Sequence, residues 1–182
     1  MLACHDLRTP LATVHGFAHT LERSEDLDET STRYLGMISA AAGQLAELID
    51  DLSVSARLAG DRYDPPLREV DTMALAQAAA ERLGDERVRV SGEGAHVELD
   101  AEAAERAVGA LARCALRHGG LEQVELAVQG PALALSPVTP ASAPVLLGED
   151  LRDLGAAVAV RVIQARGGGV AVDGETLTIR LA

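Results

Sequence analysis

The stretch "ACHDLRTPLATVHGFAHTL", residues 3–21, decides how the first third of this chain is read. Leu7, Leu11, Val14, Ala18 and Leu21 recur at spacings of four and three, the heptad-like stripe of an amphipathic helix over residues 1–23. On that helix His5 stands beside Asp6, with Thr9 and Pro10 one turn further on. The four-residue spacing puts Thr9 on the same face as His5. Pro10 has no N–H, so the carbonyl of Asp6 loses its helical partner and a bend is expected there. An imidazole whose pKa lies near neutrality keeps one ring nitrogen unprotonated and nucleophilic at pH 7. The Asp6 carboxylate can hold the proton on the other nitrogen, general-base help worth roughly 10²- to 10⁴-fold. His15 and His19 fall outside this cluster and read as polar positions on a helix. Cys4 reads as a small helix residue, because two adjacent side chains such as Cys4 and His5 cannot chelate a metal alone.

Working outward, the acidic run "SEDLDE", residues 24–29, breaks the stripe, and Asp28 is placed to cap a second helix. That helix is expected from about 29 to 59. Its seam of Leu35, Ile38, Ala42, Leu45, Ile49, Leu52 and Ala56 alternates three and four without a slip. Two such helices form an antiparallel hairpin. A hairpin gives each stripe a single neighbour and encloses no core, so pairing with a second copy as a four-helix bundle is expected, and with it a homodimer.

Gly60 and the Pro65–Pro66 pair mark a linker, dividing the chain into a helical hairpin at 1–62 and a second domain at 67–182. In the second part a helix is expected over 70–83. "VRVSGEGAHVEL" reads as two short strands around a glycine-containing turn. A helix follows at 101–118, capped by Asp100, and "VELAVQGPALAL" reads as strand, turn, strand. A further helix at 149–166 ends at the glycines 167–169, and a hairpin turns across Asp173–Gly174. The whole is α+β, with helices on one face of a mixed sheet.

The bulk numbers narrow the function. The chain has 182 residues, 48% apolar and 24% charged, which suits a globular protein with one or two cores. Aromatics are only 2%, so Ala, Leu and Val must fill the interior. A net charge of −12 argues against a nucleic-acid groove and against contact with an anionic membrane surface. No apolar run approaches the roughly 18 residues of a membrane span, and no signal peptide is visible. Cys4 and Cys114, far apart in sequence, give neither a disulfide framework nor a zinc pattern. A cytoplasmic protein without a metal is the expectation.

"HDLRTPL" before a heptad hairpin and an α+β domain resembles the bacterial two-component sensor histidine kinases. The first part resembles their dimerisation and histidine-phosphotransfer domain, the second their GHKL-type ATP-binding domain, an α/β-sandwich. The resemblance implies that His5 is the phosphoacceptor and Asp6 its base. Asp6 and Thr9 match the family's acid-x-x-Thr phosphatase signature, in which Thr9 would orient the water attacking a response regulator's aspartyl phosphate.

In the second domain the resemblance runs clearly from Arg106 through Ala115, Leu116, Arg117 and His118. Yet the family's two nucleotide-site asparagines, the second of which coordinates Mg²⁺, fall on Ala110 and Cys114. Alanine offers no ligand, and a thiol is soft where Mg²⁺ takes hard oxygen. The adenine-binding Asp of an Asp-x-Gly-x-Gly loop falls on Ser136, in "SPVTP", where prolines fix φ and no glycine follows. The Gly-x-Gly turn that meets the phosphates falls on Asp153, Leu154 and Gly155, so one glycine has become an acid. The lid before that turn is expected to be cut back.

These departures imply a phosphotransfer protein of histidine-kinase ancestry, in which His5 passes a phosphoryl group between receiver domains of response regulators and no cofactor is needed. Two other readings stay open. One is the core of a sensor kinase that autophosphorylates His5 from Mg-ATP; a chain beginning four residues before His5 would look the same. The other is a dimeric scaffold that binds response regulators without chemistry.

Overall fold

The computed structural model describes residues 2–23, 27–84 and 86–181, with side chains from Leu7 onward. His5 and Asp6 lie on described helical backbone, and their side chains, like that of Cys4, are outside the described residues. The chain folds as two units, residues 1–60 and 61–182.

In the first unit α1 (Leu2–Glu22) runs without interruption through Pro10, and α2 spans Glu29–Ala59. Asp28 caps α2, its Oδ1 accepting from the Ser31 N–H at 2.7 Å. That bond, made to the ionised carboxylate, holds the Asp28 pKa below 3.8. The two helices pack on each other. Ala18, Ala42 and Ile49 are buried, but much of each stripe is not. Leu7, Val14 and Leu21 on α1 and Ile38, Leu45 and Leu52 on α2 are all exposed.

The second unit is built on a five-stranded sheet in the order β2-β4-β5-β7-β6, with β2 (Val88–Gly94), β4 (Val124–Gly130), β5 (Ala132–Ser136), β7 (Thr176–Arg180) and β6 (Gly169–Asp173). β2 runs parallel to β4, and the remaining neighbours are antiparallel, so the sheet is mixed. Alternation puts Val124, Leu126 and Val128, Leu133 and Leu135, and Leu177 and Ile179 on one buried face. Against that core lie α3 (Thr72–Glu81), α4 (Ala101–Gly119) and α6 (Leu154–Gln164). The inward face of α4 carries Ala104, Ala107, Val108, Leu111, Ala112, Cys114 and Ala115, and its alanines let α4 approach its neighbours closely. Asp100 caps α4 as expected, accepting from the Ala103 N–H at 3.1 Å.

Four sequence expectations are corrected here. The helix expected at 70–83 begins at Thr72, because Asp71 caps it through the Met73 N–H at 2.9 Å, while Arg68–Asp71 form a strand, β1. The strands of "VRVSGEGAHVEL" part company: β2 joins the main sheet, and β3 (His96–Leu99) pairs antiparallel with β1. The buried Thr72 hydroxyl binds the two sheets together, donating to the Gly130 carbonyl at 2.7 Å and accepting from the Ala95 N–H at 2.9 Å. The helix expected at 149–166 begins only at Leu154. The preceding segment holds a single helical turn, α5 (Ala143–Leu146), and Val138, Ser142, Val145 and Leu146 are buried. The closing hairpin forms, with Asp173 paired to Thr176, so its loop is Gly174–Glu175, one residue later than expected. Gly174 takes the positive φ of 57° that the turn needs.

Candidate functional site

The first candidate site lies on α1. Backbone places residues 5, 6 and 9 within little more than one helical turn, so the expected cluster of His5, Asp6 and Thr9 shares one stretch of helix. Thr9 is exposed, and its carbonyl accepts from the Thr13 hydroxyl at 3.1 Å. Arg8, Thr9, Ala12 and Thr13 line a shallow, open recess of about 460 Å³ on this face. Arg8, to which the sequence reading gave no role, pairs with Asp50 of α2, joining the two helices beside the motif. Further along, the His15 and His19 rings stack at 6.4 Å. His19 Nε2 accepts from Arg23 at 3.0 Å, and Nδ1 faces Glu22 at 3.4 Å. Both histidines are exposed, and His19 is held by local partners.

The second candidate site lies between α4 and the N-terminus of α6. Cys114 is completely buried on α4, and His118 follows one turn later on the same face. Asp153 is the N-cap of α6: Oδ1 accepts from the Ala156 N–H at 3.1 Å. Its other oxygen, Oδ2, accepts from His118 Nε2 at 3.2 Å and has the Arg117 guanidinium at 3.7 Å. The Cys114, His118 and Asp153 donor atoms all lie within 4.8 Å of one another. Burial, and then the nearby Asp153 charge, push the Cys114 thiol up to about 12. The thiol is therefore protonated at neutral pH, and stability falls as pH rises from about 9, where an unfolded thiol ionises, towards about 12. Ala110 is half-buried a turn before Cys114, and Gly155 lies in the first turn of α6. Ser136 ends β5 and is followed by a cis peptide bond to Pro137.

Sequence reasoning named Cys114 and Asp153 separately, as substituted positions. It did not see that they meet, nor that His118 stands between them. A Cys-x-x-x-His spacing on one helix face was the legible part of that signal.

Residues 3–60 match the His Kinase A (phospho-acceptor) domain family. The chain is 32% identical over 78 residues to the sensor protein DivL of Caulobacter vibrioides, covering 43% of this chain and 10% of that protein. It is 32% identical over 108 residues to the sensor histidine kinase TrcS of Mycobacterium tuberculosis, covering 52% of this chain and 21% of that protein. Among solved structures, full-length ShkA in complex with AMPPNP superposes with a TM-score of 0.68 at 21% identity, over 98% of this chain and 43% of that one. The Acinetobacter baumannii histidine kinase AdeS superposes with a TM-score of 0.60 at 18% identity, over 96% of this chain and 95% of that one. At these identities the structural likeness speaks for the fold alone.

A helical hairpin matched by a phospho-acceptor domain family, followed by a helix-backed mixed sheet, is the domain order that this chain shares with histidine kinases. Residues 3–60 match the phospho-acceptor domain family, and the chain is similar to two-component sensor histidine kinases. It spans about a tenth and a fifth of the length of the two curated relatives. Among the described residues, no helix is long and apolar enough to cross a membrane.

The resemblance implies Mg-ATP in the second unit, and the side chains can be tested against it. Ala110 has no donor, and Cys114 offers a buried thiol where Mg²⁺ takes oxygen. The α6 N-terminus, where the resemblance puts the phosphates, already has a carboxylate bonded to it, that of Asp153. A phosphate there would meet a fixed negative charge. The segment between β5 and α6, where the family has its lid, is partly tied into the core by Val138, Val145 and Leu146. These residues do not fit Mg-ATP held in the family manner.

Proposed function

We propose that this chain is a histidine phosphotransfer module that works without ATP of its own. The observation that supports this reading most directly is the Asp153 carboxylate at the N-terminus of α6, bonded to Ala156 N–H and His118. It supplies from within the protein the anion that a helix N-terminus otherwise takes from a phosphate.

In the proposed reaction His5 takes its phosphoryl group from the aspartyl phosphate of a response-regulator receiver domain. An unprotonated ring nitrogen attacks phosphorus. The N–P bond forms as the P–O bond to the aspartyl oxygen breaks, and the receiver aspartate leaves as a carboxylate. The proton on the other ring nitrogen stays there, held by Asp6. The reverse step delivers the group to the aspartate of a second receiver. Thr9, exposed one turn on, is placed to orient a water when hydrolysis replaces transfer. The module acts as a homodimer, with the exposed stripes of α1 and α2 paired across a four-helix bundle.

The test uses the full chain in parallel tubes, each with a His5→Ala control. One tube holds Mg-ATP labelled on the γ-phosphate. The other holds a receiver domain phosphorylated with label by a trace of an active histidine kinase. The expected result is label on this chain only in the second tube, abolished by His5→Ala. Label on His5 from ATP alone overturns the reading in favour of an autokinase. Absence of label from both tubes overturns it in favour of a scaffold.

A further inference from the structure

We propose that Cys114, His118 and Asp153 form a zinc site that staples α4 to α6. The inference stands on geometry and donor chemistry, apart from any phosphotransfer by His5. Cys114 and His118 lie four residues apart, so both side chains leave the same face of α4. Asp153 arrives from the start of α6, and its two oxygens have separate duties. Oδ1 is held by the Ala156 N–H, which fixes the carboxylate, while Oδ2 points to His118 Nε2 at 3.2 Å. All three donor atoms lie within 4.8 Å of one another. A tetrahedral zinc about 2.0–2.3 Å from each ligand holds its donors roughly 3.3–3.7 Å apart. The imidazole and carboxylate already satisfy that spacing, and the thiol needs to close by about 1.5 Å at most.

The donor set selects the metal. One sulfur, one nitrogen and one carboxylate oxygen suit Zn²⁺, which is borderline soft and four-coordinate. Mg²⁺ and Ca²⁺ want six or more hard oxygens, and only Asp153 supplies one. The balance is simple. Zn²⁺ replaces the hydrogen of the Cys114 thiol, and that proton goes to solvent. The single imidazole hydrogen moves to Nδ1, leaving the Nε2 lone pair for the metal. The ion's two positive charges meet one thiolate and one carboxylate, so the ion and its ligands carry no net charge. The fourth position falls to water. The side chains of His118 and Asp153, 17% and 11% exposed, form the outer wall, so the ion enters by their turning outward. The Arg117 guanidinium, near Asp153 Oδ2, is mostly exposed and can swing into solvent as the cation arrives.

The test uses the full chain and two metals. Co²⁺ added to the reduced protein should give a thiolate-to-cobalt charge-transfer band saturating at one equivalent, with the intense visible bands of a tetrahedral site. The band should survive Cys4→Ser and disappear in Cys114→Ser. Zn²⁺ should displace the cobalt, bleach the band and raise the unfolding temperature of the second unit. His118→Ala and Asp153→Asn should each weaken zinc binding more than about 100-fold, beyond what loss of a supporting outer contact does. Far-UV circular dichroism checks that each variant folds. If Cys114→Ser does not fold, Asp153→Asn decides, because the amide keeps the shape of the cap and loses the anionic ligand. A band that follows Cys4, zinc held equally well by the Cys114→Ser and Asp153→Asn variants, or no band at all overturns the proposal.

Discussion

At the scale of the residue, Asp153 and Asp28 show the same chemistry at two depths. Each carboxylate accepts a backbone N–H at the start of a helix. Asp153 is three-quarters or more shielded and also accepts from His118, so Asp153→Ala removes a cap and leaves that imidazole without its partner. The expected cost is about 1–2 kcal/mol, read as a lower urea midpoint of the second unit. Asp28 is open to solvent. Folding lowers its pKa below 3.8, so its contribution is fully present above 3.8 and is lost as pH falls through the lower folded value. Helix content followed by circular dichroism should therefore decline in acid, and Asp28→Ala should flatten that part of the curve. Both caps were legible as residue types, since an acid before an apolar run is a start signal. Asp153 was instead read only as a substituted glycine position, within a helix expected from 149.

At the scale of the element, the pattern of success follows how local each cause is. α2 was read with its observed bounds, Glu29–Ala59, because a regular seam, a capping acid and Gly60 all lie on it. β1 was missed because four residues carry too little alternation to be told from the helix that follows. The separation of β2 from β3 was not legible either. Their partners, Val124–Gly130 and Arg68–Asp71, lie elsewhere in the chain, and no local pattern names them. Two substitutions probe that arrangement. Thr72→Val leaves the Ala95 N–H and the Gly130 carbonyl without the hydroxyl that joins them, an expected loss of about 1–3 kcal/mol. Gly92, at φ 101°, sits so close to the Val128 carbonyl that a Cβ would lie 2.1 Å from its oxygen. Gly92→Ala should push β2 off β4 and cost more than Thr72→Val in the same denaturation measurement.

At the scale of the whole molecule, the first unit leaves much of its apolar seam exposed. Leu45 is 51% exposed and Leu52 47%, although they continue the seam that buries Ala42 and Ile49. In the proposed dimer a second copy covers this stripe. Sedimentation should give a dimer, and Leu45→Arg should shift it to monomer while leaving the sheet of the second unit folded. The sequence by itself determined the hairpin, the caps of α2 and α4, the α+β class and the company His5 keeps. Each rests on residues within a turn or two of one another, where periodicity and side-chain chemistry act directly. Only the tertiary structure decided which strands are neighbours, and that Cys114 and His118 meet Asp153 from 35 residues further on. Those meetings depend on how α4 and α6 pack across one core. Packing is set by the sum of many buried contacts, so no local stretch of sequence records it.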